Sequence, residues 1–173
     1  DSLSNRSHSR SNGHDLNVGV NYSDDTWMFN ASLGVTPQRR TIDRKVGKLY
    51  ADTAMNMIDF QPMIWMSWRK KEMRVSLNYN GNTRQPSLSD LMPLTDNSNP
   101  LYITRGNPDL KQMFSHNIRL NFQNSPKGIS ANLGGQVEQN SVTQVMIYDV
   151  QTGGRETYPV NINGNWNLFG GAS

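Results

Sequence analysis

From Leu16 to Tyr22 apolar and polar residues alternate without a break, with Leu16, Val18, Val20 and Tyr22 on one face and Asn17, Gly19 and Asn21 on the other. Two is the side-chain period of a β-strand. The same period returns over 27–35 (Trp27, Phe29, Ala31, Leu33, Val35), 60–68 (Phe60, Ile64, Met66, Trp68) and 73–79 (Met73, Val75, Leu77, Tyr79). It continues over 118–122 (Ile118, Leu120, Phe122), 129–137 (Ile129, Ala131, Leu133, Val137) and 158–168 (Tyr158, Val160, Ile162, Trp166, Leu168). That makes seven strands, the sixth running on through 142–150 with a bulge where its parity slips near Gln139–Val142. No stretch of ten or more residues carries the 3.6-residue period of a helix; 86–93 and 107–114 each allow one turn, the second with Asn107 as cap and Pro108 in the first helical position.

The connections sort by length. Strands one and two are joined by "SDD", three and four by "RKKE", five and six by "NSPKG", all tight hairpins. The others are long: 36–59, 81–115, and 138–156 with its turn at "QTGG". Antiparallel neighbours reverse direction, so every short turn falls at one end of the sheet and every long connection at the other. The expectation is an all-β, antiparallel up-and-down meander forming a single segment over 1–173, with 1–14 as an outer loop or tail.

Two settings produce such alternation. In a soluble sandwich the apolar face is a private core, and loop lengths need not sort by end. In an outer-membrane barrel the apolar face meets lipid and the other a wet lumen, with short turns on the periplasmic side and long loops outside. The sorting favours the barrel. So do the asparagines, serines and glutamines of the polar face, where a soluble sheet would carry more lysine and glutamate. Tyr22, Trp27, Trp68 and Phe122 flank the short turns with apolar-face parity, as an aromatic girdle at headgroup level would. A hydrophobic share of 35% and a mean hydropathy of −0.69 leave no run of about eighteen apolar residues for a membrane helix. There is no cysteine, hence neither disulfides nor thiolate metal sites. The polar opening "DSLSNRSHSRSNGHD" is no signal peptide, which points to a cytosolic protein or to a piece of a longer precursor.

The stretch "RQPSLSDLMPL" followed by "NPLYITRGNPDLKQMFSHNIRLNF" resembles the barrel of TonB-dependent outer-membrane receptors, at Arg84, Pro86, Leu88, Leu91, Gly106, Asn107, Pro108, Leu110, Lys111 and Ser115. "DNSNPLYI" (96–103) and "PVNINGNW" (159–166) are similar, more particularly, to the Bacteroidetes-type "outer membrane protein beta-barrel family". Gln112-Met113 departs from the Pro-Glu usual in that family. The resemblance implies a barrel of about twenty-two strands around an N-terminal plug, uptake of a scarce nutrient driven by TonB through that plug, and a Gram-negative outer membrane as the location. The chain holds no plug, and seven strands do not close such a barrel. It reads as one slice of the wall, partnered by lipid and by the rest of its own barrel. Alone it would expose an apolar face and two strand edges, and would self-associate or fold differently from its parent.

Nothing in the sequence suggests catalysis. His8, His14 and His116 lack metal-site spacing and company, "GNPDLK" is not a phosphate loop, and Asp24-Asp25, Asp90 and Asp96 suit turns and caps. Neither a cofactor nor a metal is expected. The net charge of +3 rests on two basic clusters, 38–48 and Arg69–Lys71, at opposite ends of the sheet, so no single face is basic enough for nucleic acid. The loop residues best suited to touch an unidentified nutrient are Arg39, Arg40, Arg44, Tyr102 and Arg105, as hydrogen-bond donors at the long-loop end. Two other readings stay open: a soluble all-β ligand-binding or adhesion module, and a small self-contained outer-membrane barrel with an eighth strand.

Overall fold

The computed structural model describes residues 5–46, 49–92, 95–99 and 101–173, with the side chains of 5–7, 42, 44–46, 49–51, 53, 88 and 96–98 outside the described set. Its strands are β1 (Asn5–Gly13), β2 (Leu16–Ser23), β3 (Trp27–Val46), β4 (Leu49–Lys70), β5 (Met73–Arg84), β6 (Thr95–Asn99), β7 (Tyr102–Arg105), β8 (Met113–Asn124), β9 (Ile129–Gln139), β10 (Ser141–Tyr148), β11 (Arg155–Ile162) and β12 (Asn165–Ala172). A single helical turn, α1 (Leu88–Leu91), follows β5, capped by the Ser87 hydroxyl, which accepts from the Asp90 N–H.

Eight strands make one curved antiparallel wall in the order β1-β3-β4-β5-β8-β9-β12, with β2 sharing β1's edge of β3. Six of the seven strands read from the sequence are the wall strands β2, β3, β4, β5, β8 and β9, and the end of the seventh supplies β12. The remaining four form a second sheet, β10-β11-β7-β6, in which β11 and β7 run parallel.

Cross-strand register extends the alternation into rows. Val18, Leu33 and Pro62 lie opposite one another, as do Phe29, Met66, Leu77, Leu120 and Leu133, all on one face. This face stays open: Val18 is 75% exposed, Leu133 58% and Leu168 71%. From Trp27 to Val35 nine residues carry the belt, within the 9–11 that cross a bilayer as a tilted strand. Buried apolar residues lie elsewhere: Leu91, Met92 and Met113, with the fully buried Pro159, sit where the second sheet meets the wall.

The short turns are built by local chemistry. Asp24 Oδ1 accepts from the N–H groups of Thr26 and Trp27 at 2.7 and 2.6 Å, and Oδ2 from the Tyr22 hydroxyl at 2.6 Å. These bonds hold its carboxyl below the usual carboxylate range, the Tyr22 bond contributing most. Lys71 turns the next hairpin at φ 55°, and Gly128 the third at φ 63° after a 3-10 turn over Ser125–Lys127.

The long connections differ from the sequence reading. Residues 36–46 and 49–59 form no irregular loop: β3 and β4 stay paired in unbroken register from Trp27↔Trp68 to Val46↔Leu49, and with β1 along the other edge of β3 they make a three-stranded ribbon that rises beyond the wall. Residues 5–13, read as a tail, are β1 and pair along β3. Pairing extends where backbone groups find partners, whether or not the faces differ in polarity. The bulge expected near Gln139–Val142 is a break at Asn140, whose φ is 54°. The seventh strand is split in turn at Gly164, φ 95°, into β11 and β12 of different sheets. Asn107 caps no helix; its Oδ1 accepts from the Asp109 N–H at 3.0 Å in a side-chain turn.

Candidate functional site

The concave face of the wall is polar because its residues are the other half of the alternation. Asn80, Asn117, Gln136 and Asn167 form one row across β5, β8, β9 and β12. The next row reads Asn21, Asn30, Trp65, Asn78, Arg119, Gly134 and Phe169. A cavity of about 600 Å³ opens on this face, bordered by Trp65, Asn78, Asn80, Arg119, Gln136 and Phe169. Phe169 lies across Gly134, where a Cβ would overlap its ring, and the Arg119 guanidinium stands 5.5 Å from that ring. Asn30 donates to Asn21, while its own buried Oδ1 has no partner among the described residues. Aromatic faces, carboxamides and one guanidinium present stacking surfaces and hydrogen-bond donors and acceptors along this cavity.

None of these residues was among the sequence-based candidates. The signal was present: Trp65 and Phe169 are aromatics out of phase with the apolar positions of their strands.

The candidates named from sequence fall into two separate groups. Arg39 and Arg40 lie on the β3–β4 ribbon, on opposite faces, facing Asn56 and Met55 across the ladder. Arg40 Nε donates to Ser9 Oγ at 3.5 Å. Arg44 pairs with Ala51 by its backbone, and its side chain and all of Lys48 lie outside the described set. Tyr102 and Arg105 instead hold the second sheet together. The Arg155 guanidinium sits 4.3 Å from the centre of the Tyr102 ring; Arg105 pairs with Glu156 and lies 4.5 Å from the Tyr158 ring. The Arg105 guanidinium is thus engaged within the sheet, while Tyr102 contributes its ring face to Arg155. Of the aromatics beside the short turns, Trp27 and Trp68 meet across the ladder with centroids 6.4 Å apart, in the row continued by Val75 and Phe122. Tyr22 lies one row away, opposite Phe29.

The second sheet is fastened over the long-loop end by carboxamides. Asn161 Oδ1 accepts from the Lys111 N–H at 2.8 Å, and its Nδ2 donates to the carbonyls of Lys111 and Asn140 at 3.0 and 2.7 Å. Asn107 Nδ2 donates to the Pro159 carbonyl at 3.0 Å, and Gln144 Nε2 to Asp90 at 3.2 Å. At the hairpin tip the Thr152 hydroxyl and the Gln151 N–H hold the Asp149 carboxyl below its ordinary value. Among the described residues no cluster of three or more His, Cys, Asp or Glu could hold a metal ion. His116 is a packing residue, its Nδ1 3.0 Å from the Tyr79 hydroxyl and its ring edge-on to Phe114.

A profile of the outer membrane protein beta-barrel family matches residues 20–172. The crystal structure of the siderophore receptor PirA from Pseudomonas aeruginosa is similar to this chain with a TM-score of 0.50 and 14% identity, a likeness of fold alone. The match covers 96% of this chain and 39% of that one, so the chain spans about two fifths of that receptor's length. No curated protein matches it.

Proposed function

The chain belongs to the outer membrane protein beta-barrel family and thus to the outer membrane of a Gram-negative bacterium, and from that premise we propose that it is part of the wall of a TonB-dependent receptor that takes up a scarce nutrient. The observation that supports this reading is the division of the wall into an open apolar face and a concave face of asparagine, glutamine and serine rows. Lipid suits the first face. The second offers donors and acceptors to a plug and to a polar solute on its way inward. Hairpins at one end are short, while the ribbon, α1 and the second sheet all gather at the other, where a ligand arrives. The protein acts by binding and passage, with no bond made or broken.

Growth of the parent organism on a panel of ferric chelates, glycans and peptides as sole sources tests this. Deleting the full-length receptor gene should abolish growth on one of them, and deleting TonB should reproduce the loss. Receptor-dependent growth that survives TonB deletion would sink the energised-uptake reading and leave a passive pore.

A further inference from the structure

β4 and β5 are paired only from Met63↔Asn80 to Lys70↔Met73. Above that point they part, and the Thr83 hydroxyl stands in for the missing strand: it accepts from the Phe60 N–H at 2.8 Å and donates to the Phe60 carbonyl at 3.2 Å. Both backbone groups of Phe60 therefore point away from β3. In an antiparallel ladder the groups of every second residue share a direction, so Ile58, Asn56 and Ala54 present their N–H and C=O groups on the same edge. No described strand pairs with it there.

This open edge borders a cleft of about 610 Å³, within the range of ~300–1,000 Å³ that ligand pockets occupy. Met55, Asn56 and Met57 are consecutive and all line it, so the edge of the strand faces the cleft as well as one of its sides. The opposite wall supplies Pro86, Leu91 and Leu110. Lys111 lines it too, with no carboxylate partner among the described residues. Unpaired backbone groups, thioethers that adapt to irregular apolar side chains, and one free ammonium define the occupant.

We infer that this cleft binds an extended oligopeptide that adds to β4 as a strand, its backbone pairing with Ala54, Asn56 and Ile58, alternate apolar side chains lying against Met55, Met57, Leu91 and Leu110, and a carboxylate meeting Lys111. A free peptide fits better than a long partner strand, because the Thr83 hydroxyl takes both backbone groups of Phe60 and so closes the edge beyond Ile58. The site goes beyond the uptake reading and is tested without TonB.

The probe is a fluorescent hexapeptide of alternating valine and threonine with a free C-terminal carboxylate, titrated against the full-length receptor in detergent micelles. Methylating its amides one at a time should lower affinity about tenfold or more at every second position and leave the intervening ones within about twofold, since only one set can donate to β4. Asn56→Pro, which removes one edge N–H, should cost about tenfold as well. Lys111→Ala should weaken the free acid and leave the C-terminal amide unchanged. Equal affinity across the methylated series would overturn strand addition in favour of unspecific apolar binding, and absence of binding by the parent peptide would overturn the site. The methylation series needs no altered protein, so a misfolded Asn56→Pro decides nothing against it.

Discussion

Asn140 and Asn163 face each other where the last hairpin leaves the barrel wall, the Asn163 Oδ1 accepting from the Asn140 N–H at 2.8 Å. The ladder between β9 and β12 stops at Glu138↔Asn165 and restarts between β10 and β11 at Ser141↔Ile162. Across the gap, Asn163 holds the N–H of Asn140 and Asn161 its carbonyl. Two asparagine side chains thus replace the missing rungs, and two positive-φ residues, Asn140 and Gly164, let both strands bend.

Asn161→Leu removes the partner of three backbone groups at once, those of Lys111 and the carbonyl of Asn140. The Lys111 groups are exposed and can turn to water, so the largest loss falls on the partly buried Asn140 carbonyl, and each net bond is worth only about 0.5–1.5 kcal/mol. Hydrogen exchange of the receptor in micelles should quicken by at least tenfold in β10 and β11 and stay unchanged in β8. Uniform loosening of both would show that the second sheet is not a separately fastened unit.

The two faces of the wall predict opposite responses to one substitution. Leu33 lies in the apolar row with Val18 and Pro62, and its neighbour Ser32 lies in the polar row with Gly19 and Met63. Leu33→Arg should destabilise the assembled barrel by ~2–4 kcal/mol, as a cation near the bilayer midplane does. Ser32→Arg should change it by less than about 1 kcal/mol. Urea unfolding in vesicles measures both, and a reversed order would mean that the concave face is the one that meets lipid.

Arg105 and Glu156 form a half-exposed pair, with side chains 48% and 36% accessible. Such a pair contributes only ~0.2–1 kcal/mol, but Arg105 also stacks on Tyr158. In a double-mutant cycle, Arg105→Lys should lose most of the coupling to Tyr158, because an ammonium cannot reproduce the stacked plane. Coupling to Glu156 should survive in part. Full retention of both couplings by lysine would remove the stacking from the account.

The wall strands were legible because two solvents write them: wherever lipid meets one side and water the other, parity is enforced residue by residue, as from Leu16 to Tyr22. Beyond the bilayer both sides are wet. The ribbon from Thr36 to Asp59 therefore lost its alternation and read as a loop, though its backbone pairing continues unbroken. The opposite failure occurred at Gly164. Parity runs on from Tyr158 to Leu168, so one strand was read where the chain bends between two sheets, because alternation records faces and not direction. The partners of Tyr102 and Arg105 lie about fifty residues away, at Arg155 and Glu156, and no local pattern announces them. The connection 36–59, which holds Arg39, Arg40 and Arg44, is thus a continuation of β3 and β4.

Asp24 offers a pH test of the turn between β2 and β3. Its carboxyl is held below the ordinary value first by the Tyr22 hydroxyl, then by the N–H groups of Trp27 and Thr26. A group whose folded value is depressed stabilises the turn above its unfolded value, about 3.9, and loses that contribution as the pH falls through the lower folded value. The turn should hold at neutral pH and fray in acid. Carboxyl NMR of the receptor should show Asp24 titrating below a model aspartate, and Tyr22→Phe should move the midpoint upward. An Asp24 midpoint unmoved by Tyr22→Phe would leave the backbone bonds as the cause.

Gly106, in the Gly-Asn-Pro element, is fixed by space and not by dihedral freedom. A Cβ there would overlap the carbonyl oxygen of Met92 and come within 2.9 Å of that of Asp90. Both are backbone atoms, which cannot swing aside as a side chain can, and the Asp90 carbonyl also accepts from the Asn107 N–H at 2.5 Å. Gly106→Ala must therefore push the chain after β7 away from α1, with Leu91 and Met92 losing their cover, at the ~1–3 kcal/mol typical of overpacking. Gly153→Ala supplies the contrast. Its φ of 69° strains an alanine, but nothing lies within 4 Å of the added carbon, so its effect stays within the hairpin tip. Proteolysis of the folded receptor should then cut faster between β5 and β7 in Gly106→Ala alone. Equal protection of that segment in both variants would mean that the packing of Gly106 against Met92 does not hold the second sheet in place.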